Sequence, residues 1–196
     1  MPEAASQDFE DPIKDKLVCY QQIPLRWRKL DQPLSEGQWF CQQSDNVKLM
    51  EVLVSSDDVG DLESSGDKDS IKEIKRLDAK VNLLMGWIGQ FLMPQQALPA
   101  AQTVCLSSTG LQFHSDEQQA NEVLENDNLC IELFLEPRYP QAFTTSATVV
   151  HVTAQPQSLE IVVRFTDINE QNQHWLDKYV FQLHRRQVAL SRKYPR

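Results

Sequence analysis

Arg26, Arg28 and Lys29 stand around Trp27 and form the one dense cationic cluster in the first half of the chain. Such a cluster suits an anion site, in which a planar guanidinium forks onto a phosphate or stacks on a base. The same residues also suit a solvated strand end, and the residues alone leave both readings open. No other constellation points to catalysis. His114, His151, His174 and His184 fall in different predicted elements. There is no nucleophile elbow, no pair of carboxylates at a recognisable spacing, no Walker loop and no metal motif. Cys19, Cys41, Cys105 and Cys130 lack CxxC spacing, which predicts neither a zinc site nor a disulfide framework but reduced thiols in a cytoplasmic protein. The acidic run Val59–Asp69 lacks the central glycine and closing glutamate of a calcium loop.

The element that organises the chain runs from Ser70 to Met93. Written as a heptad it places Ile74, Val81 and Ile88 at a, and Leu77, Leu84 and Phe91 at d. Ser70-Ile-Lys-Glu73 reads as a capping box, Asp67 and Asp69 oppose the positive end of the helix dipole, and Pro94 stops the run. Ile71, Met85 and Leu92 at e, with Trp87 at g, widen the stripe beyond what one partner helix covers. The strict pattern lasts about two and a half heptads, so an amphipathic helix lying on its own domain is the competing expectation.

Composition bounds the rest. The 196 residues, 41% of them hydrophobic, suit one embellished domain or two small ones with a real core. A net charge of −9 and a pI near 4.9 argue against general DNA or RNA binding, whose affinity comes from phosphate neutralisation. Residues 1–16 read as a disordered acidic leader rather than a signal peptide. The uncharged stretch Val81–Ser115 is broken by Pro94 and Pro99, and no membrane-spanning helix is expected.

In chain order, Leu17–Arg28 reads as extended, with Pro24 marking an edge or bulge. Ser44–Ser55 reads as a short helix capped by Ser44, with Val47, Met50, Leu53 and Val54 at helical spacing and an extension back to Ser35 possible on pattern. Beyond Gln102 the period becomes alternating: Val104 and Leu106, then Leu111 and Phe113 across a Gly110 turn, then Leu129, Ile131, Leu133 and Leu135. Thr148–Val152 and Leu159–Phe165 add strands joined at Pro156, which predicts a small antiparallel barrel or sandwich. A final helix is expected from Glu170 to Gln187, with Trp175, Leu176, Tyr179, Val180 and Leu183 on its buried face.

Thr103-Val-Cys-Leu-Ser-Ser-Thr-Gly-Leu-Gln-Phe113 resembles the PilZ-domain segment carrying the D/N-x-S-x-x-G motif. The resemblance continues through Val163-Arg-Phe-Thr-Asp-Ile-Asn-Glu170 to His184-Arg-Arg-Gln187 and, more weakly, takes in Ile23–Arg28. The long helical insertion is similar to that of the atypical, tetrameric branch of the family. The resemblance implies an α+β fold, a small antiparallel PilZ-like β-barrel with an inserted heptad helix and a C-terminal helix. It implies one domain over residues 17–187: an upstream strand at 17–30, a helical insertion at 35–93 with its oligomerisation helix at 70–93, and barrel plus last helix at 102–187. A basic tail at 188–196 follows.

The resemblance also implies a homotetramer built on Ile74, Leu77, Val81, Leu84, Ile88 and Phe91, with a dimer as the lesser assembly. PilZ domains are receptors for the bacterial second messenger cyclic di-GMP, bound through R-x-x-x-R and D/N-x-S-x-x-G. The candidate residues here are Arg26, Arg28, Cys105, Ser107 and Gly110. Both halves depart from the family pattern. The arginines are spaced R-x-R, position 30 is Leu, and Cys105 replaces the Asp or Asn with a thiol, a weak donor and weak acceptor. The expectation is a module without a cofactor, binding cyclic di-GMP weakly or not at all by itself and contacting protein partners.

Overall fold

The computed structural model describes residues 11–14, 16–61, 74, 77, 81, 84, 98–116, 123–136, 139, 141–155 and 158–193. Strand β1 (Cys19–Lys29) is followed by helix α1 (Glu36–Asp61), then β2 (Ala101–Leu106), β3 (Gly110–Asp116), β4 (Asn128–Leu133), β5 (Phe143–Gln155), β6 (Ser158–Thr166) and helix α2 (Glu170–Lys193). The strands close into a barrel in the order β1-β2-β3-β6-β5-β4, every neighbour antiparallel. Closure removes the exposed edges that an open sheet would present.

β1 closes the barrel by pairing with two strands in turn. Cys19–Pro24 face β2 and Leu25–Lys29 face β4. Pro24, which has no N–H to give a ladder, sits where the partner changes, and its carbonyl accepts the Phe134 N–H at 3.0 Å. Alternation then fills the interior. Ile23 and Leu25 meet Val104, Leu106, Leu111, Phe113, Leu129, Ile131, Leu133, Phe143, Ile161 and Val163, all buried.

α1 and α2 pack together beside the barrel. Leu49, Met50, Leu53 and Val54 of α1 join Leu176, Tyr179, Val180 and Leu183 of α2 in the same core. α1 begins earlier than its apolar residues suggest. Ser35 is its cap, its hydroxyl accepting the Gln38 N–H while Gln38 Oε1 accepts from Ser35 N, a reciprocal arrangement that places Ser44 inside the helix. The first half of α1 buries amides rather than hydrocarbon. Gln43 Nε2 donates to the Asp167 carbonyl at 2.8 Å, Asn172 Nδ2 donates to Gln43 Oε1 at 2.8 Å, and Asn46 exchanges two hydrogen bonds with the Thr144 backbone. Asp167 holds a left-handed φ of 58°, the corner at which β6 turns toward α2. Asn169 caps α2 by accepting the Asn172 N–H at 2.8 Å.

Two expectations change. α2 runs past Gln187 to Lys193, so most of the anticipated basic tail is helical. Part of the anticipated disordered leader is folded: Pro12 is buried, and Asp11 Oδ1 accepts the Ile13 and Lys14 N–H groups at 2.9 and 3.3 Å.

Ile74, Leu77, Val81 and Leu84 are helical, and in the single chain they are 47, 54, 53 and 52% exposed. These four seam positions therefore do not lie buried on their own domain. Ile71, Met85, Trp87, Ile88, Phe91 and Leu92 lie outside the described residues. Among the described residues no helix is long and apolar enough to cross a membrane.

Candidate functional site

The β2–β3 turn is built around one serine. Ser107 N donates to the Gly110 carbonyl at 3.0 Å, and Ser107 Oγ accepts the N–H groups of Gly110 and Thr109 at 2.9 and 3.1 Å. The turn is tied to the rest of the fold by Phe165 N, which donates to the Thr109 carbonyl, and by Gln173 of α2, which donates to the Ser108 carbonyl. The Ser107 hydroxyl has two carbonyls within donating reach, Pro12 at 2.8 Å and Gly110 at 3.2 Å, and the Thr109 hydroxyl donates to the Pro12 carbonyl at 3.1 Å. A methyl group on Gly110 would run into the Val163 carbonyl and stand 2.5 Å from Pro12 Cβ. Glycine here is a requirement of close approach.

Cys105 lies opposite Tyr20 and Gln112 on the strands flanking the turn, 3% exposed. Burial pushes its thiol up from the ordinary range, while a hydrogen bond from the Tyr20 side chain works weakly against that shift. At neutral pH the position that would carry an anionic or amide acceptor carries a protonated, covered thiol.

The cationic cluster is divided by the strand period. Trp27 turns toward the core, its ring 6.4 Å from that of Phe113, while Arg26 and Arg28 face outward. Arg26 pairs with Glu132 at 3.1 Å and lies 5.8 Å over the Phe134 ring; Lys29 pairs with Asp127 at 2.8 Å. The Lys29 hydrogen bond, more than any other influence, holds the Asp127 carboxyl below its usual range. Arg28 stands across from Cys130, where its positive charge works against the burial that raises the thiol. Arg26 also lines a cleft of about 430 Å³ between α1 and the barrel, where Asp45 and Glu132 outnumber it in charge. That balance disfavours a phosphodiester.

The candidate residues form two groups rather than one site. Cys105, Ser107 and Gly110 lie at the end of β1 that carries Cys19 and Tyr20, whereas Arg26 and Arg28 lie at the other. With a strand rise of about 3.3 Å per residue, the step from Tyr20 to Arg26 is roughly 20 Å. Sequence reasoning missed the residues that do meet the turn: Pro12, Thr109 and Arg164, whose Cα pairs with that of Gly110. Thr109 sat inside the quoted motif; Pro12 gave no signal, being 95 positions from Ser107. The histidines stay apart, His114 beside Glu160 at 3.6 Å and His151 beside Glu125 at 3.4 Å. Among the described residues no group of three or more His, Cys, Asp or Glu could hold a metal ion.

The sequence profile of the atypical PilZ domain, described as a cyclic di-GMP receptor, matches residues 50–193. The chain belongs to the atypical PilZ domain family. The match takes in Cys105, Ser107 and Gly110 but not Arg26 or Arg28. Among solved structures, this PilZ protein is similar to a pathogenic protein from Xanthomonas campestris, a tetrameric PilZ domain self-assembled via a helical bundle. The identity is 21%, with 90% of this chain and 92% of that chain covered and a TM-score of 0.66, which establishes the shared fold. Bacillus subtilis inhibitor of motility (MotI/DgrA) matches at 17% identity over 45% of this chain and 42% of that one, with a TM-score of 0.37. No curated protein matches the sequence.

Proposed function

We propose that this atypical PilZ protein is a non-enzymatic module of bacterial cyclic di-GMP signalling that self-assembles through its central helix and acts mainly as a cytoplasmic adaptor for protein partners. The observation that carries the adaptor reading is the separation of the outward arginines from the Ser107–Gly110 turn, at opposite ends of β1. A ligand with two phosphates needs both groups on one surface. The protonated thiol of Cys105 weakens the turn further, because a lost charge-assisted contact costs about 1.5–3 kcal/mol, or roughly ten- to a hundredfold in affinity. Self-association as a homotetramer is supported by the exposed seam of Ile74, Leu77, Val81 and Leu84 and by the bundle of the Xanthomonas relative. Ile88 and Phe91 continue the same heptad in the sequence.

A second reading, a genuine receptor using non-standard residues, is favoured by the family description as a cyclic di-GMP receptor. Isothermal titration calorimetry on the full-length protein separates the two. The adaptor reading expects no binding or binding weaker than low micromolar. Low-micromolar or tighter affinity would establish the receptor reading, with Arg26, Arg28, Ser107 and Gly110 as the first residues to substitute.

A further inference from the structure

The Ser107–Gly110 turn is occupied by the chain itself. Two hydroxyl groups, from Ser107 and Thr109, converge on the single carbonyl oxygen of Pro12 at 2.8 and 3.1 Å. Both hydroxyls are donors aimed at one acceptor, the arrangement that would receive a phosphate oxygen. Pro12 fills the space above Gly110 so closely that a β-carbon there would stand 2.5 Å from Pro12 Cβ and 2.7 Å from Pro12 Cγ. Ser107 is fully buried and Pro12 is buried with it, so the contact shields the Ser107 hydroxyl from solvent, while Ser108 and Thr109 stay partly exposed.

The segment is shaped to make this contact. Pro12 has a fixed φ and no N–H to satisfy, which lowers the entropy lost on docking. Asp11 folds its carboxylate back onto the N–H groups of Ile13 and Lys14, and Lys16 N donates to the Ile13 carbonyl at 3.4 Å. The result is a compact turn that presents the Pro12 carbonyl outward from its own hydrogen bonds. Arg164 of β6 lies in register with Gly110 on the neighbouring strand. The barrel thus presents two hydroxyl groups at a spot now filled by a neutral carbonyl.

We infer that Asp11–Lys14 is an intramolecular plug: the Pro12 carbonyl takes the place of a phosphate oxygen at the Ser107/Thr109 hydroxyls, and the segment must leave before a phosphodiester can reach the turn. The inference rests on the PilZ reading of the chain for the identity of that phosphodiester. A plug of this kind multiplies the apparent dissociation constant by the inverse of the fraction of time the turn is open. It gives the module a second position, plug released, that a ligand or partner can favour.

The test uses full-length protein, wild type against D11A/P12G, which disrupts the folded turn while leaving every barrel residue unsubstituted. Trypsin cleavage after Lys14 reports release, and calorimetry with cyclic di-GMP reports access. The expected result is faster cleavage in the variant together with an affinity at least tenfold above wild type. Cleavage accelerated with affinity within twofold of wild type, or with no binding in either protein, would overturn the plug as a gate. Equal cleavage in both proteins would show that the segment is not docked and would overturn it as well. The adaptor reading is judged separately, by the wild-type affinity alone, whereas the plug is judged by the ratio of the two.

Discussion

Cys19, Cys105 and Cys130 are buried and Cys41 is exposed, so the four thiols divide by environment. Burial, with a smaller contribution from Cys105, pushes the Cys19 thiol up to about 12 from an ordinary 9.0. Burial is also the leading cause of the rise at Cys105 and at Cys130. A thiol whose pKa is raised by folding stays protonated where the unfolded chain would lose its proton. Its stabilisation is complete below pH 9 and is lost as pH rises toward about 12, because the native state then binds more protons than the unfolded one. Stability to urea is therefore expected to fall through this alkaline window. At pH 8 in native buffer one thiol per chain should react promptly with Ellman's reagent, and four after denaturation. Two or more prompt thiols in the native protein would contradict the burial described for Cys19, Cys105 and Cys130.

At the scale of elements, the joint between α1, α2 and the barrel is a buried amide network. Asn172 and Gln43 are 0 and 2% exposed, and Gln43 reaches both Asp167 and the Asn169 N–H. Removing one partner of a buried hydrogen bond costs about 1–3 kcal/mol, so Asn172→Ala should lower unfolding stability by about that amount, measured by urea denaturation. A loss below 0.5 kcal/mol, the usual range for a surface substitution, would mean the network does not clamp the helices.

This network also explains which elements the sequence revealed. Leu129, Ile131 and Leu133 alternate because β4 has one face in the barrel, and that period is readable without any neighbour. The amino-terminal half of α1, back to Ser35, was only faintly legible because its buried face is Gln43 and Asn46, which look like surface residues until their partners on β5 and α2 are in place. The orientation of Trp27 was legible in principle, since Ile23, Leu25 and Trp27 share one strand face, but the adjoining charges suggested a single cluster. Within the candidate site, the serine and glycine of the turn carried a local motif, whereas Pro12 reaches them only through tertiary folding.

At the scale of the whole molecule, the barrel satisfies its own edges, whereas the described seam positions of the central helix stay uncovered in the single chain. Ile74, Leu77, Val81 and Leu84 each stand about half exposed, more clustered apolar surface than a solvated helix ordinarily presents. Burying a Leu or Ile side chain contributes on the order of 1.5–3 kcal/mol, and several such burials per chain can offset the entropy of association. Sedimentation equilibrium of the wild-type protein at micromolar concentration, beside L77D/L84D, tests this most directly. Assembly through this seam predicts a mass four times that of the 22.6 kDa chain for the wild type, and a monomer retaining barrel circular dichroism for the variant. A monomeric wild type would contradict it.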